Sequence, residues 1–415
     1  MNDFERINMY KIRQQFNTTA LPDPAEKVRD ELTKWNSTIK PGQSIGIAVG
    51  SRGIHAIDRM TRSIVDFVIS CKARPFIIPA MGSHGEAKPE GQREILAGYG
   101  ITEESMGAPI DASMEVDELC TLSEGVKVVI SRAANAADGI ILINRIKPHT
   151  DYHGRYESGL AKMCVIGLGK HAQAREMHRF GARGLKEFIP KAAEKMFAIG
   201  KIIAGVAVVE NAVDKPMCIE VIPGRKIMER EPHLLKIATD NMPRLPVDAI
   251  DLLIVDYIGK DFSGTGLDTN IIGRMRIRGE PEPQRPRIKS IMVRDVSEKS
   301  HGNALGIGMA DAITRRLYQK INFTAMYENA FTSTFLERVK VPVVAENDAE
   351  GIAFALRSCG GIPPGAERIV RIRNTLQIDE MYVSEPVYRE LYSRDDITIL
   401  SESLPLCKED TIIEF

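Results

Sequence analysis

A chain of 415 residues is too long for one compact core, so two domains are the natural expectation. Hydrophobic residues make up 43% and charged residues 27%, the composition of a soluble globular protein. Lys plus Arg (55) and Asp plus Glu (56) nearly cancel, and a net charge of -1 leaves no whole-surface field for nucleic acid or an anionic membrane. Any anionic ligand must therefore be held by a local site. The six cysteines, Cys71, Cys120, Cys164, Cys218, Cys359 and Cys407, include no C-x-x-C pair, which argues against a zinc ribbon, a redox dithiol or a secreted disulfide framework. The opening residues Met1-Asn2-Asp3-Phe4-Glu5-Arg6 lack a basic and then apolar signal pattern, and no stretch approaches a membrane span. A cytoplasmic location is the expectation.

In chain order, Ser44–Val49 reads as a buried strand followed by a turn at residues 50–53. A helix over Ile57–Cys71 is predicted from apolar positions at Ile57, Met60, Ile64, Phe67 and Val68. Phe76–Pro79 is a second strand ending in Gly82-Ser83-His84-Gly85, and Pro89 suits the first turn of the next helix. Val126–Ile130, Gly139–Ile143, Ile203–Val209 and Leu252–Asp256 are further strands. Alternation of strands and helices predicts an α/β protein of two domains with largely parallel sheets. Met242-Pro243-Arg244-Leu245-Pro246 punctuates the chain and sets the expected boundary. An N-terminal domain is expected over 1–245 and a C-terminal α/β domain over 246–415, with a return of the last residues to the first domain as the alternative.

Ligands of parallel sheets bind beyond the carboxyl ends of strands. Polar segments 50–53, 82–85, 144–154 and 259–266 all fall at such ends. Of eight histidines, His149, His153, His171 and His178 crowd into one stretch, and His84 ends a separate strand. Histidine is the commonest metal ligand and the usual acid/base near neutral pH. Glycines 154, 159, 167 and 169 let the backbone approach a ligand, and Lys162 sits among Leu160, Ala161, Met163, Val165 and Ile166. A lysine desolvated in this way loses basicity and can act as a nucleophile. Each residue taken singly has a plainer reading: His84 as a turn residue, His149 as a loop cap, His178 as an ordinary helix residue, Lys162 as a snorkelling lysine. Their joint placement in strand-end loops favours function. His149 and His153 have the i, i+4 spacing of a helical zinc pair, but Pro148 and Gly154 bracket them and no helical pattern connects them.

These residues resemble the nickel-pincer lactate racemases and their superfamily of 2-hydroxy-acid racemases and epimerases. Gly82-Ser83-His84 is similar to a strand-end Thr-His motif. Pro148-His149 through Ser158-Gly159-Leu160-Ala161-Lys162 is similar to a Pro-His … Ser-Gly-Gly-x-Lys segment, and His178 stands where a nickel-binding histidine follows the lysine. Ser51-Arg52 matches a Thr-Arg pair that grips the cofactor phosphate. There are departures. The loop from His149 to Ser158 is longer by a few residues, Leu160 replaces the second glycine, and an Asp ahead of the Thr-Arg pair is missing, with Val49-Gly50 in its place.

The resemblance implies an isomerase that inverts C2 of a small 2-hydroxy acid by moving a hydride. The implied cofactor is a nickel-pincer nucleotide, a pyridinium bis-thiocarboxylate mononucleotide covalently attached to Lys162, supplied by cofactor-making partner enzymes. It implies His84 and His149 as the acid/base pair, with His153 as a rival to His149. His178 is implied as nickel ligand and Ser51 and Arg52 as phosphate ligands, with the site in a cleft between domains. Lys260, Asn270 and Arg274 are candidates for the substrate, although the local match is poor. The polar residues Thr150, Asp151, Arg155 and Glu157 hint at a hydroxylated substrate such as an aldonic acid. Two other classes stay open. One is a zinc- or iron-dependent hydrolase or lyase built on His84, His149, His153 and His178. The other is a non-catalytic metabolite-binding protein, which the lack of a Walker A or G-x-G-x-x-G pattern weakens.

Overall fold

The computed structural model describes residues 6–35, 37–408 and 410–415. The chain divides into two compact units, one over Asn17–Met242 and the other over Pro243–Phe415 together with the N-terminal strand Asn8–Gln14. Both are α/β; strand pairs of the Asn17–Met242 unit are mostly parallel, whereas the other unit combines a parallel set with antiparallel strands at one edge. Among the described residues no helix is long and apolar enough to cross a membrane.

The Asn17–Met242 unit is built on a five-stranded sheet in the order Arg74–Pro79, Ser44–Val49, Gly139–Arg145, Ile202–Glu210, Pro216–Pro223. The first four strands run parallel and the last is antiparallel. Parallel strands covered on both faces should be apolar throughout rather than alternating. Ser44–Val49 and Gly139–Arg145 follow this, with five consecutive buried residues each. Ile45, Ile47, Val49, Ile141, Ile143, Val206 and Val208 meet Met60, Ile64 and Val68 of the Ile57–Ser70 helix in one core. Helices begin where their caps allow. The Asp23 carboxylate accepts the Ala25 and Glu26 N–H groups at 2.9 and 3.2 Å to start Pro24–Thr33, and a proline opens Pro89–Gly98.

From Ser44–Val49 the chain moves to Arg74–Pro79 on one side and later to Gly139–Arg145 on the other. That reversal is a topological switch point, where a crevice opens at the carboxyl ends of the strands. One expected sheet strand differs. Lys127–Ser131 leaves the main sheet and pairs antiparallel with Val116–Thr121. Gly125, at φ 76°, turns this hairpin back on itself.

In the second unit the Ala249–Ile258 strand lies between Arg287–Val296 and Ile369–Ile372, all parallel. Asn8–Gln14 was expected in the N-terminal domain. Instead it pairs antiparallel with Glu380–Ser384, placing Met9 and Ile12 at 1% and 0% exposure. The last residues also stay in this unit. The Asp256 carboxylate binds Arg371 and Arg294, each at 2.8 Å, and Arg294 reaches Asp348 at 2.6 Å. Asp348 accepts the Ile412 N–H and Arg371 donates to the Ile413 carbonyl. Buried charges require such pairing, and here it ties down the C-terminus.

Candidate active site

The carboxyl ends of three neighbouring strands present the predicted residues. Ser44–Val49 ends in Ser51-Arg52, Arg74–Pro79 runs on to His84, and Gly139–Arg145 leads into the loop that carries His149. Ser51 Oγ hydrogen-bonds His84 Nδ1. The Tyr99 hydroxyl donates to the Ser51 carbonyl at 2.5 Å and holds that turn from outside.

The 144–158 loop is not helical. A single antiparallel bridge between Lys147 and Ser158 closes it, and Glu157 organises it from within. The Glu157 carboxylate is 6% exposed and accepts the His149 N–H at 2.6 Å and the Gly154 N–H at 3.0 Å. Glu157 therefore serves the loop's own backbone and is removed from the residues that hinted at a hydroxylated substrate. His153 is exposed, 3.3 Å from Glu157 through Nδ1.

His149 faces inward, packed at 4.6 Å between ring centroids against the fully buried Tyr152. Its Nε2 meets Lys162 Nζ. The Asp151 backbone N–H donates to His149 Nδ1 at 3.0 Å, so Nδ1 carries no proton. The proton of the neutral ring then lies on Nε2, and the contact with Lys162 requires a lone pair on the amine. Burial pulls the Lys162 ammonium down to about 8, with Arg52 pushing the same way and Asp151 opposing. The hydrogen-bond pattern and the desolvation agree on an amine that is readily neutral.

Lys162 ends a short helical turn, Leu160–Lys162, which continues as a π-helix over Met163–Gly167 and then as the helix Lys170–His178. π-Helical turns concentrate at functional sites because they re-aim side chains. Gly167 is required there, since a Cβ would lie 2.6 Å from the Ala80 carbonyl, beside the turn that bears His84. His178 closes the helix. Its Nδ1 is buried without a hydrogen-bond partner. Burial, and then the Lys162 charge, lower its proton affinity, with Asp151 opposing. Arg52 lies in the same field, its proton affinity lowered by surrounding protein and by Arg145, and raised by Tyr99 and Asp151. Ser51, Arg52, His84, His149, Lys162 and His178 thus gather at one end of one sheet.

Sequence reading missed the residues that hold this arrangement. Asn144 donates to the Gly159 carbonyl at 2.9 Å. Glu231 accepts the Ala161 N–H at 2.9 Å, and a Cβ on Gly159 would stand 2.3 Å from its Oε1. Leu160, which replaces a motif glycine, is fully buried beside Gly205, where a Cβ would meet it at 2.6 Å. The substitution is accommodated by packing. Glu231 lies far away in sequence, in the middle of the Ile227–Asp240 helix, where nothing distinguishes it from a surface glutamate.

Burial raises the Glu231 carboxyl to about 7, against the pull of the Ala161 and Leu160 amides. Its folded form holds a proton more tightly than the unfolded chain does, so its contribution to stability is fully present below 4.5 and is lost as the pH rises to about 7. Glu231→Gln should flatten this decline. Thermal melts of both proteins across that window check it, and parallel pH slopes would refute the assignment.

The other candidates lie in the second unit. Arg274 donates to the Met309, Ile288 and Lys289 carbonyls and to Asp311, at 2.6 to 3.1 Å. It is 8% exposed, and its guanidinium is engaged by these acceptors within its own unit. Asn270 Nδ2 donates to Asp268 at 3.0 Å in the start of a short helix, and Lys260 Nζ meets Asn329. Among the described residues, no three His, Cys, Asp or Glu side chains gather as a metal would require, so His84, His149, His153 and His178 do not form a zinc or iron ligand set.

A desolvated lysine and several histidines gather at the switch point of a mostly parallel sheet in this α/β protein. Residues 21–186 match the family model of the lactate racemase N-terminal domain. The chain's fold is similar to that of the lactate racemase apoprotein from Thermoanaerobacterium thermosaccharolyticum, with a TM-score of 0.51 and 12% identity over 88% of this chain and 94% of that one. A Thermotoga maritima protein aligns with a TM-score of 0.48 and 13% identity over 66% of this chain and 71% of that one. No curated protein matches the chain by sequence.

Proposed function

We propose that the protein is a racemase or epimerase that inverts C2 of a 2-hydroxy acid. The observation that carries this reading is the contact of the desolvated Lys162 amine with His149, near His178, whose buried Nδ1 has no hydrogen-bond partner. A solitary amine and a solitary neutral imidazole do not make a protein-only metal site. They do suit a ligand that brings its own donors and needs one covalent anchor and one further nitrogen. A nickel-pincer nucleotide is such a ligand, and a square-planar nickel accepts nitrogen and sulfur donors. Lys162 would hold it covalently, His178 would complete the nickel coordination, and Ser51 and Arg52 would grip its phosphate.

When bound, that group supplies a hydride acceptor, which spares the enzyme from making a carbanion beside a carboxylate. The protein's part is proton handling. His84 and His149 are the acid/base pair, one taking the hydroxyl proton on one face and the other returning it on the opposite face. Holding that group would take the Lys162 amine away from His149 Nε2, the nitrogen that would then face the substrate hydroxyl. To act as a base His149 must present a bare Nε2, so the Asp151 N–H contact to Nδ1 gives way in that half of the turnover, while Ser51 orients the His84 ring. Arg52 and the strand-end amides provide the local positive field that the chain's net charge of -1 does not.

The test is to incubate holoprotein, made alongside cofactor-synthesising enzymes, with a panel of chiral 2-hydroxy acids in deuterated water, followed by chiral chromatography. Lactate, longer hydroxy acids and aldonic acids make up the panel. Inversion without deuterium at C2 supports internal hydride return. Deuterium incorporation, or no inversion of any member, would discard the reading.

A further inference from the structure

Lys170 is 0% exposed and starts its helix in the left-handed region at φ 55°. Its Nζ donates to the Pro79 carbonyl at 2.6 Å and to Gln92 Oε1 at 3.2 Å, both neutral oxygens. Gln92, also 0% exposed, donates through Nε2 to the Gly82 carbonyl at 3.1 Å and the His84 carbonyl at 3.2 Å. The order of donors is fixed. An ammonium can only donate, so the carboxamide must turn its oxygen to Lys170 and its NH2 to the two carbonyls on either side of Ser83.

The segment so held is strained. Gly85, Glu86 and Ala87 all have positive φ, at 65°, 57° and 56°. Glu86 and Ala87 carry a Cβ and pay for that conformation, which persists only where the surroundings over-determine it. Gly85 lies directly on Gly91, where a Cβ would come 2.3 Å from the Gly85 carbonyl oxygen. Helix Pro89–Gly98 thus packs Gly91 against the turn and, with the next residue, Gln92, holds the turn's carbonyls.

We propose that Lys170 and Gln92 are positioning residues for His84. The buried amine fixes the carboxamide, and the carboxamide fixes the turn that aims the imidazole at Ser51. Only the consequence for turnover rests on the racemase reading; the placement of His84 does not.

Two variants of the full chain test this. Gln92→Glu keeps an acceptor for Lys170 but removes the N–H groups that hold the turn. Lys170→Met removes the amine and lets the carboxamide rotate. Reaction of each histidine with diethyl pyrocarbonate is followed by peptide mass spectrometry, and the imidazole signals by NMR. The exposed His171 serves as internal reference. His84 is expected to change reactivity several-fold and to shift its ring signals in both variants, with His171 unchanged and Gln92→Glu melting close to wild type. Unchanged His84 reactivity and signals in either folded variant would overturn the proposal. Failure of both to fold would also overturn it, by assigning the pair to stability alone. An inactive wild-type enzyme would leave these readouts intact, so the two readings fail separately.

Discussion

Lys162→Ala protein, made alongside cofactor-synthesising enzymes, is expected to emerge without nickel, without cofactor absorbance and without turnover. The amine lies at the end of a helical turn whose preceding amide is fixed by Glu231, which gives the proposed anchor a fixed position. Its chemistry suits acylation. Burial brings it down to about 8 from 10.5, so the neutral, nucleophilic fraction at pH 7 rises from roughly one in 3,000 to about one in 10. Labelling of Lys162 in the unloaded protein by an amine-directed reagent should therefore titrate with a midpoint near 8. Mass spectrometry and metal analysis read the loaded protein. Retention of nickel and of the absorbance by Lys162→Ala would remove the anchor and the function built on it.

Replacing either member of the histidine pair should cost roughly 10²–10⁴ in turnover, the usual range for a positioned acid or base. His84→Gln and His149→Gln are expected to slow inversion by that factor in both directions, because each turnover needs a proton acceptor on one face and a donor on the other. Neither change should disturb folding much, since His84 is exposed and His149 lies on a loop that Glu157 holds through its backbone. His153→Gln is the control. Its ring is exposed and turned to Glu157, so its loss should leave the rate nearly unchanged. Chiral chromatography of timed samples measures all three. If His153→Gln silences the enzyme and His149→Gln does not, the pair has been assigned to the wrong residue.

The parallel strands and helix starts were legible because their signals are local. Ser44–Val49 and Gly139–Arg145 read as continuous apolar runs since both faces are buried, and prolines and capping side chains marked helix starts. The Lys127–Ser131 hairpin was misplaced because a short apolar run does not state which sheet it joins. Arg274 was read as a ligand because a charged residue after a glycine-rich loop carries no trace of the four acceptors that fold around it.

Residue type and spacing by themselves determined which groups can do chemistry here: histidines clustered beside a lysine in an apolar context, at the ends of predicted strands. Tertiary structure decided which of them are usable. It turned His149 inward and His153 outward, removed the proton from His149 Nδ1, lowered the Lys162 amine, and left His178 Nδ1 without a hydrogen-bond partner. It also recruited Glu231, Gln92 and Lys170 from distant positions as supports. Desolvation and hydrogen-bond pairing are properties of what surrounds an atom, and those surroundings form only when distant segments pack.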